Sequence, residues 1–291
     1  VKSWRFVSHG ARASAVVAAV VVGSSLEVSG QVGALDEAVA RLSSYVARYY
    51  ARAQAVVVEE NVSVQPLLSD LTASGFARRL TYELRVEWSP DGAAEDAVKV
   101  VRRLLKVNGR PPADRHEPEC LDPNDVSPEP LAFLLPERRH AFTFTLAGPG
   151  NVDGRPALML DFRSVRPEPP IVEWDDECAS IDLPGRSRGR VWADPETGEI
   201  LRFDEHLIGL VDIDVPLPQQ RRGARPLLTV ERADTSIRYR RVSFENPDET
   251  LLLPASIETV TIIRNSGVPR VRITQTFGNY RRFATDSRIV Q

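Results

Sequence analysis

The stretch "RLTYELRVEW", residues 79–88, alternates without a break. Leu80, Tyr82, Leu84, Val86 and Trp88 fall on one side, and Arg79, Thr81, Glu83, Arg85 and Glu87 on the other. A period of two predicts an antiparallel strand with one face buried and the other wet. A helix would repeat its apolar residues every three or four positions instead. The same rhythm returns in Val56, Val58, Val62 and Val64, in Phe142, Phe144 and Leu146, and in "LLTVERA", "TSIRYRRVSF", "ASIETVTIIR" and "RVRITQTFGNY". "RPALMLDFRSV" is apolar on both sides and reads as a more buried strand. Asn108-Gly109 and Asn265-Ser266-Gly267 with Pro269 supply turn chemistry between runs. The pattern predicts about ten strands.

One segment keeps a different period. Leu35, Val39, Leu42, Val46, Tyr49 and Ala53 form a single helical stripe. Asp36 and Glu37 stand in its first turn and Arg48 and Arg52 near its end, as the helix dipole favours. The fold class is therefore α+β and β-dominated, with the helix packed on the sheet. Two stretches interrupt the strands. Residues 108–130 are rich in Pro and acids and read as an irregular excursion. "PLAFLLPERRHA" after it predicts a short covering helix that Pro136 stops or kinks. "PLPQQRRGARP", 216–226, reads as a turn-rich connector. Neither separates unrelated domains, so residues 31–291 are read as a single domain.

Lys2, Arg5 and Arg12, the apolar run "AVVAAVVVG" at 15–23, and the small polar segment after it make the order of a secretory signal peptide. The expected leader is residues 1–30, with cleavage after Gly30 or, second, after Ala34. The apolar run is far below the roughly 20 residues needed to span a bilayer, so no membrane span is expected after cleavage. An uncleaved N-terminal anchor is the competing reading. Export to the periplasm or beyond places Cys120 and Cys178 in an oxidising compartment, where a structural disulfide is the default. Two separate free thiols remain the alternative. Neither cysteine lies in a CxxC pair, which argues against thiol redox chemistry or a cysteine zinc site.

A net charge of −3 gives no basic field for nucleic acid. "RVWADPETGEILRFDEHL", 190–207, crowds Asp194, Glu196, Glu199, Arg202, Asp204, Glu205 and His206 together. Asp194-Pro195-Glu196-Thr197-Gly198 is tight-turn chemistry, and Trp192, Leu201 and Phe203 supply an apolar face. The oxygen-ligand spacing of a calcium loop is missing, and no HExxH accompanies His206. The segment reads as a hairpin, and no metal or cofactor is expected. Asp175, Asp176 and Glu177 read as a solvated strand end beside a cystine. Nucleophile-elbow, phosphate-loop and dinucleotide motifs are missing too, so nothing in the sequence favours an enzyme.

"GRVWADPETGEILRFDEHLIG", "LLLPASIETVTI" and "TQTFGNYRRF", within 186–283, together resemble exported bacterial proteins of the periplasmic outer-membrane lipoprotein carrier and sigma-factor regulator sensor superfamily. The resemblance implies a strongly curved antiparallel half-barrel, a leading helix, short covering helices and a greasy concave face. This chain departs from it in its length and in the Cys-bearing insertion at 108–130.

Two functions follow. The first is a non-enzymatic exported binding protein that holds a hydrophobic or amphiphilic ligand, such as a lipid, an acyl chain or a lipoprotein segment, in the concave face. Tyr82, Leu84, Trp88, Phe142 and Phe144 are its expected wall, against ordinary core under helix 35–53. The second is a cell-envelope interaction or sensor module without a small ligand, using strand edges and the Arg-rich runs 238–241 and 280–283 to meet an envelope protein partner.

Overall fold

This computed structural model describes residues 24–53, 56–88, 98–113, 120–123, 130–175, 178–220, 226–245 and 248–282; for 24–32, 86–88, 98–99 and 175 it describes the backbone alone. The basic and apolar parts of the expected leader, and the acids Asp176 and Glu177, lie outside the described residues.

The apolar stripe forms the helix α1 (Ser24–Arg52). It begins eleven residues before the predicted start, so both expected cleavage points lie within it. Val39, Leu42, Val46, Tyr49 and Ala53 are all buried, as the period requires. Glu37 pairs with Arg41 one turn on, at 2.6 Å.

Thirteen strands follow among the described residues: β1 (Val56–Pro66), β2 (Arg78–Trp88), β3 (Val98–Val107), β4 (Phe142–Val152), β5 (Arg155–Ser164), β6 (Ile171–Asp175), β7 (Cys178–Asp182), β8 (Ser187–Ala193), β9 (Ile200–Leu207), β10 (Val211–Asp214), β11 (Leu227–Glu245), β12 (Asp248–Arg264) and β13 (Arg270–Arg282). One large antiparallel sheet has the order β3-β2-β1-β13-β12-β11-β9-β8-β5-β4, and β10 pairs with β11. β6 and β7 form a separate hairpin. No described pairing joins the edge strands β3 and β4, so the sheet is open rather than a closed barrel.

Turns and bulges shape this ribbon. Asn108 and Gly109 both take positive φ where β3 ends, as does Asn265 between β12 and β13. Asp194 Oδ1 accepts the N–H groups of Glu196 and Thr197, each at 3.0 Å, and Gly198 sits at φ 74°. Register shifts at Val57/Glu59, Thr81/Tyr82, Leu146/Gly148, Trp192/Ala193, Val230/Arg232 and Arg238/Tyr239 break the ladder. Each such bulge adds twist and bends the strands.

The covering segment 131–141 is shorter and tighter than an α-helix. It consists of the 3₁₀ turns Leu131–Leu134 and Arg139–Ala141, broken around Pro136. The first buries Leu131, Phe133 and Leu134 against α1 and the sheet. Cys120 and Cys178 are joined in a disulfide, with Cα atoms 5.1 Å apart. It ties the middle of the excursion to the β6–β7 hairpin. Leu121 packs on Val62, Val64, Leu80 and Tyr82, while Val172, Trp174 and Ile181 of the hairpin pack on Val211, Ile213 and Val230.

Candidate functional site

Alternation decides which side chains face α1. The inward positions near the helix are Val56 and Val58 on β1, Leu84 on β2, Val100 on β3, Leu160 and Phe162 on β5, Val191 on β8, Phe203 on β9, Ile237 on β11, Ile257 on β12 and Phe277 on β13. All belong to one buried core with the helix stripe. Two residues further along each strand, on the same face, the character changes. Glu60 follows Val58, Tyr82 precedes Leu84, Arg102 follows Val100, Gln275 precedes Phe277, Thr259 follows Ile257, Thr235 precedes Ile237, and Glu205 follows Phe203. Beyond them the face is apolar again, in Val62, Leu80, Leu104 and Ile273 on one flank and Leu207, Val230 and Ile263 on the other.

The inner face therefore carries a polar belt between two apolar layers. Cross-strand register sets the belt as two groups: Glu205 lies opposite Thr235 and Thr235 opposite Thr259 on one flank, and Glu60 lies opposite Tyr82 on the other, while Thr259 faces Ile273 and Gln275 faces Ile257 across the β12–β13 ladder. On the β5 side the belt ends at Ser164 and Ser187, whose hydroxyls are 3.2 Å apart.

The two carboxylates of the belt are treated differently. Glu60 is fully buried and its partner Arg102 is 4% exposed. Arg102 Nε donates to Glu60 Oε2 at 2.8 Å, and Gln275 Nε2 donates to Oε1 at 2.6 Å. Burial, with the charges of Asp122 and Glu60 behind it, pushes the Tyr82 hydroxyl up to about 12. Glu205 is half-buried and has no ion-pair partner among the described residues. Burial raises its carboxyl above the ordinary range, opposed by a contact with the Ser187 hydroxyl and by the nearby His206.

The expected wall residues divide between flanks. Tyr82 and Leu84 face inward on β2, and both are buried. Phe142 and Phe144 face inward on the edge strand β4, at the far side of the strand order. They stay half-buried; both rings pack on Phe133 and Phe142 also on Phe162, while the Phe133–Phe162 and Phe162–Phe203 ring centroids are 4.4 and 5.5 Å apart. The side chain of Trp88 lies outside the described residues. Glu60, Arg102, Gln275 and Glu205 were not singled out as belt residues from sequence. Their signal was a polar residue at an inward position of an otherwise apolar alternation.

The outer face is a paired surface. Asp194 serves its turn, and Glu199 accepts Arg155 and Arg241 at 3.1 and 3.0 Å. Arg190 pairs with Asp161 at 2.5 Å, and Arg202 pairs with Asp204 while lying 4.6 Å from the Trp192 ring centre. His206 Nδ1 is 3.0 Å from Asp234. In the Arg-rich runs, Arg238 lies 3.6 Å from Asp153 and Arg281 pairs with Glu83, whereas Arg282, opposite the inward Val56, is turned to the inner side and pairs with Glu249 over the Phe244 ring. The acidic hairpin is thus a turn with a wet, charge-matched face. Among the described residues, no three His, Cys, Asp or Glu side chains gather as metal ligands, and no helix is long and apolar enough to cross a membrane.

No protein-family model and no curated protein matches the chain. Solved structures similar to it include a LolA superfamily protein from Nitrosomonas europaea, at 8% identity and TM-score 0.33, covering 86% of this chain and 97% of that one. A DUF1329 family protein from Desulfovibrio piger is similar at 10% identity and TM-score 0.39, covering 88% and 95%. A chain of the Pseudomonas aeruginosa MucA/MucB complex is similar at 13% identity and TM-score 0.22, covering 84% and 99%. The first of these carries the superfamily name that the C-terminal resemblance gave.

Proposed function

We propose that this chain is an exported, non-enzymatic binding protein that holds an amphiphilic ligand, such as a lipid or acyl chain, against the inner face of its sheet. One observation carries the reading: a single face presents apolar side chains, then a polar belt, then apolar side chains, and its aromatic end at β4 is only half-buried. A molecule with a greasy chain and a polar head matches that order. Phe142 and Phe144, beside Phe133, are the proposed entry lip, and Leu84 and Tyr82 form the opposite wall. Each methylene taken from water is worth about 0.8 kcal/mol, so a chain of modest length suffices for affinity.

The interaction-module alternative would use the open edges. Both are blunted in the way that resists strand pairing. β4 carries Pro149 and a register shift at Leu146/Gly148, and β3 carries Arg103 and Lys106.

The test is organic extraction of protein purified from the envelope fraction, followed by mass spectrometry, with binding of the fluorescent probe N-phenyl-1-naphthylamine to the delipidated protein. The expected result is co-purified lipid and saturable probe binding that weakens about tenfold in Phe144→Glu. Folded protein that carries no lipid and binds no probe would overturn the reading.

A further inference from the structure

We propose that the polar belt is a headgroup site and that Glu205 makes it selective for an amphiphile with a primary ammonium head. The inference rests on the binding-protein reading and adds the class of ligand.

The argument starts from the contrast between the two inward carboxylates. Both occupy inward positions between apolar side chains of their own strands, Val58 and Val62 for Glu60, and Phe203 and Leu207 for Glu205. An ionised carboxylate away from water needs a cation or several hydrogen-bond donors. Glu60 has both kinds, in Arg102 and Gln275. The strands around Glu205 carry Arg188, Arg190 and Arg202, but alternation puts all three on the outer face, where Arg190 and Arg202 pair with Asp161 and Asp204. The chain has cations close by in sequence and turns them away from Glu205. His206, its neighbour along β9, likewise points outward to Asp234.

The surroundings of Glu205 are small and rich in hydroxyls. Across one side is Gly189, across the other Thr235, and the Ser187 hydroxyl, one inward position along β8 from Gly189, favours the ionised carboxylate. Gly189 is required there because a Cβ would collide with the Asp204 carbonyl oxygen and the Phe162 ring. Phe162 thus lies over Gly189 and forms the apolar floor beside the carboxylate. Thr235 and Thr259 Oγ1 atoms sit 3.5 Å apart on the next two strands. A carboxylate supplies the counter-charge, and hydroxyl oxygens accept the remaining N–H groups. A primary ammonium presents three donors to such a set, whereas a trimethylammonium presents none. A fatty acid would place a second carboxylate against the first. The ligand's chain would then extend along either apolar layer, toward Phe203 and the β4 lip or toward Leu207 and the β6–β7 hairpin.

The experiment measures displacement of N-phenyl-1-naphthylamine by four ligands with the same twelve-carbon chain, below their micelle concentrations: dodecylamine, dodecyltrimethylammonium, dodecanol and laurate. Dodecylamine is expected to bind about tenfold more tightly than dodecanol, with trimethylammonium between them and laurate weakest. Glu205→Gln, which keeps the shape and removes the charge, should bring the amine-to-alcohol ratio close to one. Glu258→Gln on the outer face changes the net charge equally and should keep the ratio. If all four ligands bind alike, if laurate binds best, or if Glu205→Gln retains the amine preference, the headgroup inference is wrong while the binding-protein reading stands. If no probe or ligand binds at all, the binding-protein reading itself fails.

Discussion

Replacing Arg102 by Leu isolates the cost of a buried, uncompensated charge. Glu60 is 0% exposed and Arg102 4%, so neither can turn to water without opening the sheet. The two charges lie about 4 Å apart, which at an effective dielectric constant near 20 corresponds to about 4 kcal/mol of lost attraction. Breaking a buried pair from one side costs about 3–5 kcal/mol in comparable sites, so the two routes agree. Glu60→Leu should cost a similar amount, because it strands Arg102. The double variant Glu60→Leu/Arg102→Leu should recover most of the loss. It still leaves the Gln275 amide without its carboxylate, worth about 1–3 kcal/mol. Adding Gln275→Leu should recover that remainder. The assay is urea unfolding followed by tryptophan fluorescence and circular dichroism, with the coupling energy taken from the double-mutant cycle. A loss below about 1 kcal/mol for Arg102→Leu would mean that water reaches Glu60 and that the belt is solvated on this flank. A double variant as unstable as the sum of the singles would mean that the two residues are not coupled.

Three further outcomes follow from the same geometry. Cys120→Ser/Cys178→Ser opens a loop set by a sequence separation of 58; the chain-entropy relation gives about 4 kcal/mol of lost stability, and hydrogen exchange should rise at Leu80 and Val211, where the tied segments pack. Gly189→Ala forces a Cβ into the Asp204 carbonyl and the Phe162 ring, and should lower the urea midpoint by the equivalent of about 1–3 kcal/mol, whereas Gly278→Ala, with open space at its Cβ position and no positive φ, should lower it far less. Tyr82 is raised from 10 to about 12, so between those pH values the unfolded chain has lost a proton that the folded chain retains; stability is full below pH 10 and falls as pH rises through about 12, and Tyr82→Phe should flatten that fall in an alkaline unfolding series.

Period and turn chemistry were legible where they act locally. The stripe from Val39 to Ala53, the alternation of 79–88 and the turns at Asn108-Gly109, Asp194–Gly198 and Asn265–Gly267 all formed as the residues dictate. β11 was harder, because its 19 residues read as two strands. The register shift at Val230/Arg232 moves the inward parity from Val230 to Ala233, so the alternation looks broken although the strand continues. Partnership was less visible still. Periodicity says which face a side chain occupies but not which strand lies beside it. Tyr82, Leu84, Phe142 and Phe144 do face inward, yet β2 and β4 stand at opposite flanks because β13 closes on β1 and β11 skips to β9. Glu60 was visible as a gap in the run Val56, Val58, Val62, Val64. Finding Arg102 and Gln275 as its partners required the order β3-β2-β1-β13.

Face, rather than density, is what gives an acid its role in this chain. The run 190–207 holds several acids, and those on the outer face trade with arginines in water, where each pair is worth about 0–1 kcal/mol. Glu205 is the member at inward parity, two residues past the fully buried Phe203 and next to a glycine rather than an arginine. Its uncompensated carboxylate makes the folded state less stable than an apolar residue would. Glu205→Leu should therefore raise the urea midpoint, by the equivalent of about 1 kcal/mol, because Phe203, Leu207 and their neighbours would meet as one apolar surface. Glu199→Leu, which removes a partner of Arg155 and Arg241 at the solvent side, should leave stability unchanged or slightly lower. Because Glu205 titrates higher when folded than unfolded, the advantage of Glu205→Leu should grow as pH rises from the unfolded carboxyl value through the folded one. A Glu205→Leu protein that is less stable than the parent at neutral pH would show that the carboxylate is already compensated, and the case for an incoming cation would go with it.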